Sequence, residues 1–184
     1  MIRMLFSWTV VLYVGSLVQS AEPTAPTIAV GKPAPQFKFK DQSGKDMVLS
    51  DLTSRGPVLV RLTCGCAGCD KELAYFQEID AAYKKAGLTS VAIFKEPDAK
   101  VAKYAKDKKI NMLYAVDTKG ESWTIFQTKT MPTNFLIGKG GEILAISAGC
   151  DPSGLLAKKL SEKIAKTVGS ETVDVKAQVD SKKK

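Results

Sequence analysis

The stretch that most constrains this chain is Thr63-Cys64-Gly65-Cys66-Ala67-Gly68-Cys69, three cysteines within six residues at the point where a strand pattern gives way to a helix pattern. Before it, Pro57-Val58-Leu59-Val60-Arg61-Leu62 is a short apolar, β-branched run of the kind that forms a buried strand. After it, Leu73, Phe76, Ile79, Ala82 and Tyr83 recur at helical spacing as far as Lys85, and Gly87 stops the helix. Cys66-x-x-Cys69 therefore falls in the first turn of a helix. There, backbone amides without intrahelical partners and the positive end of the peptide dipoles stabilise a thiolate, the nucleophilic form of cysteine.

Three readings of such a cluster compete: a redox centre, a structural staple and half of a metal site. Structural zinc sites usually require a second cysteine pair or a histidine, and this chain has no histidine. A staple suits an exported protein, where thiols oxidise. The first twenty residues read as an export signal: Arg3 gives a positive start, an apolar run covers residues 5–18, and Val18-Gln19-Ser20 ends in a small residue. Cleavage is expected after Ser20 or Ala21, which places the mature protein in the periplasm or outside the cell. An uncleaved membrane anchor is the weaker reading, because the apolar run is short for a span and no strongly basic flank follows.

The net charge of +8 is carried almost wholly by lysine, with Arg3, Arg55 and Arg61 the only arginines. The lysines are interspersed with Asp and Glu and form no aromatic-interleaved basic stripe, which argues against nucleic acid as a partner. At 184 residues, 45% of them hydrophobic, the chain is long enough for one well-cored domain. The order expected along it is a signal peptide (1–20), a flexible leader (21–30), one domain (31–168) and a disordered lysine-rich tail (169–184) with little to bury.

Within the domain, alternation over residues 36–40 and the run at 47–49 flank a turn at 41–45, giving an N-terminal hairpin. A strand is expected at 89–94, a lysine-rich helix from Asp98 to Asp107, a strand at 112–116 and a short helix at 122–127. Strands at 133–137 and 142–146 then make a hairpin about Gly138-Lys139-Gly140-Gly141, and a last helix runs over 153–167. The β-α-β-α order argues for parallel pairing and the late hairpin for antiparallel pairing, so the fold class is α/β with a central mixed sheet flanked by helices.

Together with Met131-Pro132-Thr133 opening the late hairpin, these features resemble the thioredoxin fold. More closely, they resemble its redoxin branch, the alkyl hydroperoxide reductase and thiol-specific antioxidant domains and the exported thioredoxin-like reductases. The pieces that carry the resemblance are Val30-Gly31-Lys32-Pro33-Ala34-Pro35-x-Phe37, Leu49-Ser50-Asp51-Leu52, Cys66-x-x-Cys69-x-Lys71-Glu72-Leu73 and Met131-Pro132-Thr133-x-Phe135. The resemblance implies an exported thiol-disulfide oxidoreductase in which Cys66 attacks and Cys69 resolves a mixed disulfide. It also implies a cis bond at Pro132 that sets the backbone of Met131 beside the sulfurs to pair with substrate. The partners implied are a protein or small-molecule disulfide and an electron donor, with no cofactor and no assigned metal ligands.

The chain departs from the family pattern in ways that bear on the chemistry. Arg61 stands where thioredoxin keeps a buried acid, and Gly65 replaces the usual aromatic before the first cysteine. Thr63-Cys64-Gly65-Cys66 echoes a peroxiredoxin site. However, Leu59 occupies the position of that site's proline, and no arginine follows Arg61 to polarise a peroxide. Disulfide exchange therefore ranks above thiol peroxidase activity. Cys64 and Cys150 are accessory thiols, expected at the same rim as Cys66. They are open to three roles: a Cys64–Cys150 staple, a relay between pairs, or a copper or zinc site shared with Cys66 and Cys69.

Overall fold

The computed structural model describes residues 27–182, so the signal expected at 1–20 lies outside the described residues. A five-stranded mixed sheet forms the centre, in the order β5-β4-β3-β6-β7. Its strands are β3 (Val58–Thr63), β4 (Thr89–Phe94), β5 (Leu113–Val116), β6 (Thr133–Ile137) and β7 (Ile143–Ala148). β3, β4 and β5 pair in parallel, while β6 runs antiparallel to both β3 and β7. The hairpin expected at the N-terminus is a separate two-stranded sheet, β1 (Lys38–Lys40) with β2 (Asp46–Val48).

Period-two alternation on β3 sorts its side chains to the two faces of the sheet. Val58, Val60 and Leu62 join Phe37, Trp123, Phe126 and Phe135 on one face, beneath α1 (Leu49–Arg55) and α4 (Glu121–Ile125). Leu59 joins Phe76, Ile79, Tyr83, Leu160 and Ile164 on the other. That second face is covered by α2 (Ala67–Tyr83), α3 (Asp98–Asp107) and α5 (Leu155–Val168). Arg61, two residues from Leu59, points into this same apolar layer.

The expected ends of the domain need correction. Of the leader, residues 27–30 are described, and Ile28 packs against the Phe37 cluster. The tail is not without structure: α6 (Val175–Lys182) docks on α2 and α5, with Val175 and Val179 buried. The physical reason is a pair of valines at i and i+4, enough apolar surface to seat one helix face. The chain entering α6 is held by a relay in which the Val173 N–H donates to the Tyr83 hydroxyl at 2.9 Å. That hydroxyl lies 2.7 Å from Ser161 Oγ, which in turn donates to the Val173 carbonyl at 2.7 Å. Among the described residues no helix is long and apolar enough to cross a membrane.

Candidate active site

β3 ends at Thr63, the chain turns through Cys64-Gly65, and α2 begins with Cys66 as its N-cap. The turn is held from β4's end: the Gly65 N–H donates to Glu96 Oε1 at 2.8 Å and the Lys95 N–H to the Thr63 carbonyl at 3.3 Å. Tyr104 of α3 lies against Gly65, so a β-carbon there would sit 3.5 Å from its ring. Asp70, in the first turn of α2, accepts from the Tyr104 hydroxyl at 2.9 Å and from Lys108 Nζ at 2.8 Å. Burial pushes the Asp70 carboxyl up, but the hydrogen bonds from Lys108 and Tyr104 outweigh it and hold the carboxyl below its ordinary range.

The three clustered cysteines differ in access: Cys66 is exposed, Cys64 half-buried and Cys69 buried. All three sulfurs lie within 4.8 Å of one another. The structure joins Cys64 to Cys66 as a disulfide and leaves Cys69 and Cys150 as free thiols. The pairing differs from the Cys64–Cys150 staple, because the one-residue turn at Gly65 brings the Cα atoms of Cys64 and Cys66 to 5.4 Å, within disulfide range. Cys69 Sγ lies 3.3 Å from Cys64 Sγ. Cys150 does return to the same rim, where its thiol donates to the Gly68 carbonyl at 2.9 Å. Desolvation, then the charges of Glu72 and Cys69, raise the Cys150 thiol above its ordinary range.

The Met131–Pro132 peptide bond is cis. Leu62 pairs with Thr133, and continuing that antiparallel register by one residue sets Pro132 against Thr63, next to the cysteine turn. The Gly149 N–H donates to the Pro132 carbonyl at 2.9 Å, and Thr133 Oγ1 donates to the Thr130 carbonyl at 2.7 Å, which fixes the loop from both sides. Along Met131 runs an open groove of about 630 Å³, lined also by Lys95, Trp123, Gln127 and Lys129.

Arg61, set where thioredoxin keeps a buried acid, is itself buried. Its guanidinium is 3% exposed, pairs with Glu72 Oε2 at 2.8 Å, donates to Asn134 Oδ1 at 2.9 Å and lies 4.0 Å from the centre of the Phe76 ring. Glu72 Oε1 accepts the Asp151 N–H at 2.7 Å. One buried network thus ties β3, α2, β6 and the loop before α5 together, three residues past Cys69. Glu72, Asn134 and Glu96 were not singled out from the sequence as site residues. The signal for Glu72 was present, a carboxylate at the inward-facing i+3 position after Cys69.

The guanidinium is buried and held by Glu72 and Asn134, so it is not presented at the open rim to polarise a peroxide. This supports disulfide exchange over peroxide reduction.

The AhpC/TSA family model matches residues 30–146. The chain is 32% identical to the thiol-disulfide oxidoreductase ResA of Geobacillus kaustophilus over 123 residues, 66% of this chain and 71% of the relative. ResA of Bacillus subtilis is 29% identical over 124 residues, 67% of this chain and 69% of the relative. A Chlorobium tepidum structure assigned as the thiol:disulfide interchange protein DsbE superposes with a TM-score of 0.71 at 26% identity, covering 78% of this chain and all of that one. Peroxidoxin BcpB from Mycobacterium tuberculosis shares the fold, with a TM-score of 0.63 at 23% identity over 78% of this chain and 97% of that one. With strand, cysteine turn, helix and cis-proline hairpin in the family's order and the model matched from residue 30 to residue 146, the chain belongs to the AhpC/TSA family.

Proposed function

We propose that this protein is an exported thiol-disulfide oxidoreductase working through Cys66 and Cys69. The observation that carries the reading is an exposed Cys66 at the α2 N-terminus with a buried free Cys69 thiol one turn on, beside a cis Met131–Pro132 bond; a dithiol donor first reduces the Cys64–Cys66 disulfide to free Cys66. The Cys66 thiolate attacks one sulfur of a substrate disulfide. A Cys66–substrate bond forms, and the other substrate sulfur leaves as a thiolate. Cys69 then gives up its proton and attacks Cys66 Sγ, releasing the second substrate thiol and leaving the Cys66–Cys69 disulfide. Two electrons have passed to the substrate, and an external dithiol donor restores the pair.

The backbone of Met131 offers an extended substrate segment a strand-like seat, and main-chain pairing of this kind tolerates varied side chains. Lys95 and Lys129 along the adjoining groove favour a segment carrying acidic groups. The names of the ResA and DsbE relatives agree with exchange chemistry, and the apolar N-terminus supports export.

The test is reduction of insulin by the dithiol form of the mature chain. Cys66→Ser should abolish turnover, and the double variant Cys64→Ser/Cys69→Ala, which removes both thiols within reach of Cys66, should accumulate a mixed disulfide at Cys66 visible by mass spectrometry. Full activity in Cys66→Ser would remove the assignment.

A further inference from the structure

The sulfurs of Cys64, Cys66 and Cys69 form a compact triangle, more than two-cysteine exchange requires. We infer that in the reduced protein they bind one monovalent copper ion as a three-thiolate site.

The argument is geometric and chemical. A metal ion at the centre of a planar triangle of thiolates, with bonds of about 2.3 Å, needs sulfurs about 4 Å apart. The three sulfurs here all lie within 4.8 Å of one another, with Cys69 Sγ 3.3 Å from Cys64 Sγ. Reducing the Cys64–Cys66 disulfide takes two electrons and two protons from a dithiol donor, which leaves as a disulfide. The two sulfurs then separate to nonbonded contact, and the triangle opens toward the required size. Each thiol loses its proton as the metal binds, and the excess negative charge of the complex sits at the positive end of the α2 dipole.

The donor set selects the ion. Thiolates are soft ligands, which favours copper(I) and zinc over hard cations. Structural zinc takes four ligands; the chain has no histidine, and among the described residues no carboxylate joins this group. The fourth cysteine is not part of the triangle, since Cys150 Sγ is turned to the Gly68 carbonyl. Three-coordination is left, and among these ions it suits copper(I). Exposed Cys66 opens one edge of the site, so the ion can pass to and from another carrier by ligand exchange. Passing two electrons to a substrate disulfide, which leaves as two thiols, closes the Cys64–Cys66 disulfide, removes two ligands and releases the ion.

The site shares Cys66 and Cys69 with the exchange reaction but does not depend on it. The experiment is anaerobic titration of the fully reduced mature chain with copper(I), supplied as its acetonitrile complex, against bathocuproine disulfonate. One equivalent should be retained, with ultraviolet thiolate-to-copper absorption. Cys64→Ser should weaken retention by more than about tenfold, the lower end of what even loss of a supporting contact does to a metal site. Cys150→Ser should match wild type, and protein carrying the Cys64–Cys66 disulfide should retain none.

Wild-type affinity in Cys64→Ser, with a melting temperature showing that it is folded, would overturn the site, as would loss of copper in Cys150→Ser or displacement of copper by equimolar zinc. A wild type that reduces insulin but holds no copper sinks this inference alone. A Cys66→Ser variant that still reduces insulin sinks the exchange reading alone.

Discussion

Replacing Arg61 by leucine removes a cation from a site where both partners are 3% exposed. Glu72 Oε2 then loses its 2.8 Å partner inside the apolar layer of Phe76 and Ile79, and Oε1 keeps only the Asp151 N–H. Asn134 is less affected, because its amide still donates to Ser147 Oγ at 3.1 Å. An orphaned buried carboxylate costs about 3–5 kcal/mol. For a domain of this size, at about 2–4 °C per kcal/mol, the melting temperature should fall by roughly 10 °C. Loss of the 4.0 Å stack on Phe76 adds to the deficit. The decisive comparison is the double variant Arg61→Leu/Glu72→Leu, which removes both charges and should recover most of the loss, since an apolar pair of similar volume replaces a buried ion pair at little cost. Urea unfolding of wild type, both single variants and the double variant measures the coupling directly. A deficit below 1 kcal/mol in Arg61→Leu, or a double variant no more stable than the worse single one, would refute the claim that the network rather than general packing holds α2 to the sheet.

Asp70 is held below its ordinary carboxylate range when folded, so its contribution is full above about pH 4 and is lost as pH falls through the folded value. Asp70→Asn should therefore be less stable than wild type at pH 7, with the gap closing below pH 4 in urea titrations; a constant gap down to pH 3 would contradict the linkage. The Cys150 thiol, raised above its ordinary value of 9.0, should stay protonated at neutral pH and react slowly with iodoacetamide until the solution passes pH 9, as followed by peptide mass spectrometry. Val175 is fully buried, so Val175→Asp should detach α6, lower the melting temperature and make residues 170–182 the first site of proteolysis. Cleavage elsewhere first would show that the helix is not held by that contact.

Much of this architecture is local in origin and could be read from the chain. The strand-to-helix switch at residues 63–69, the helix Asp98–Asp107 and the hairpin about Gly138–Gly141 each follow from periodicity and turn residues within a dozen positions. The cis bond at Pro132 came from the resemblance rather than from any local pattern. The cysteine partnership was not legible, since any of the four thiols has a chemically acceptable mate. It took the turn at Gly65, pinned by Glu96 from the loop after β4, to set Cys64 against Cys66 and leave Cys150 on the Gly68 carbonyl.

Arg61 and Val175 show the same division. Alternation on β3 assigns Arg61 to the face shared with Leu59, but nothing near it in sequence says that a carboxylate eleven residues on will meet it there. The tail's composition is that of a solvated end, yet α2 and α5 present a groove that two valines can fill. Sequence alone determined where the strands and helices of the central domain form and that a cysteine cluster begins α2, because hydrogen-bonded periodicity acts over a few residues. Which sulfurs meet, which charge is buried against which, and whether the tail folds were decided by tertiary packing, because those energies exist only once distant surfaces exclude water from between them.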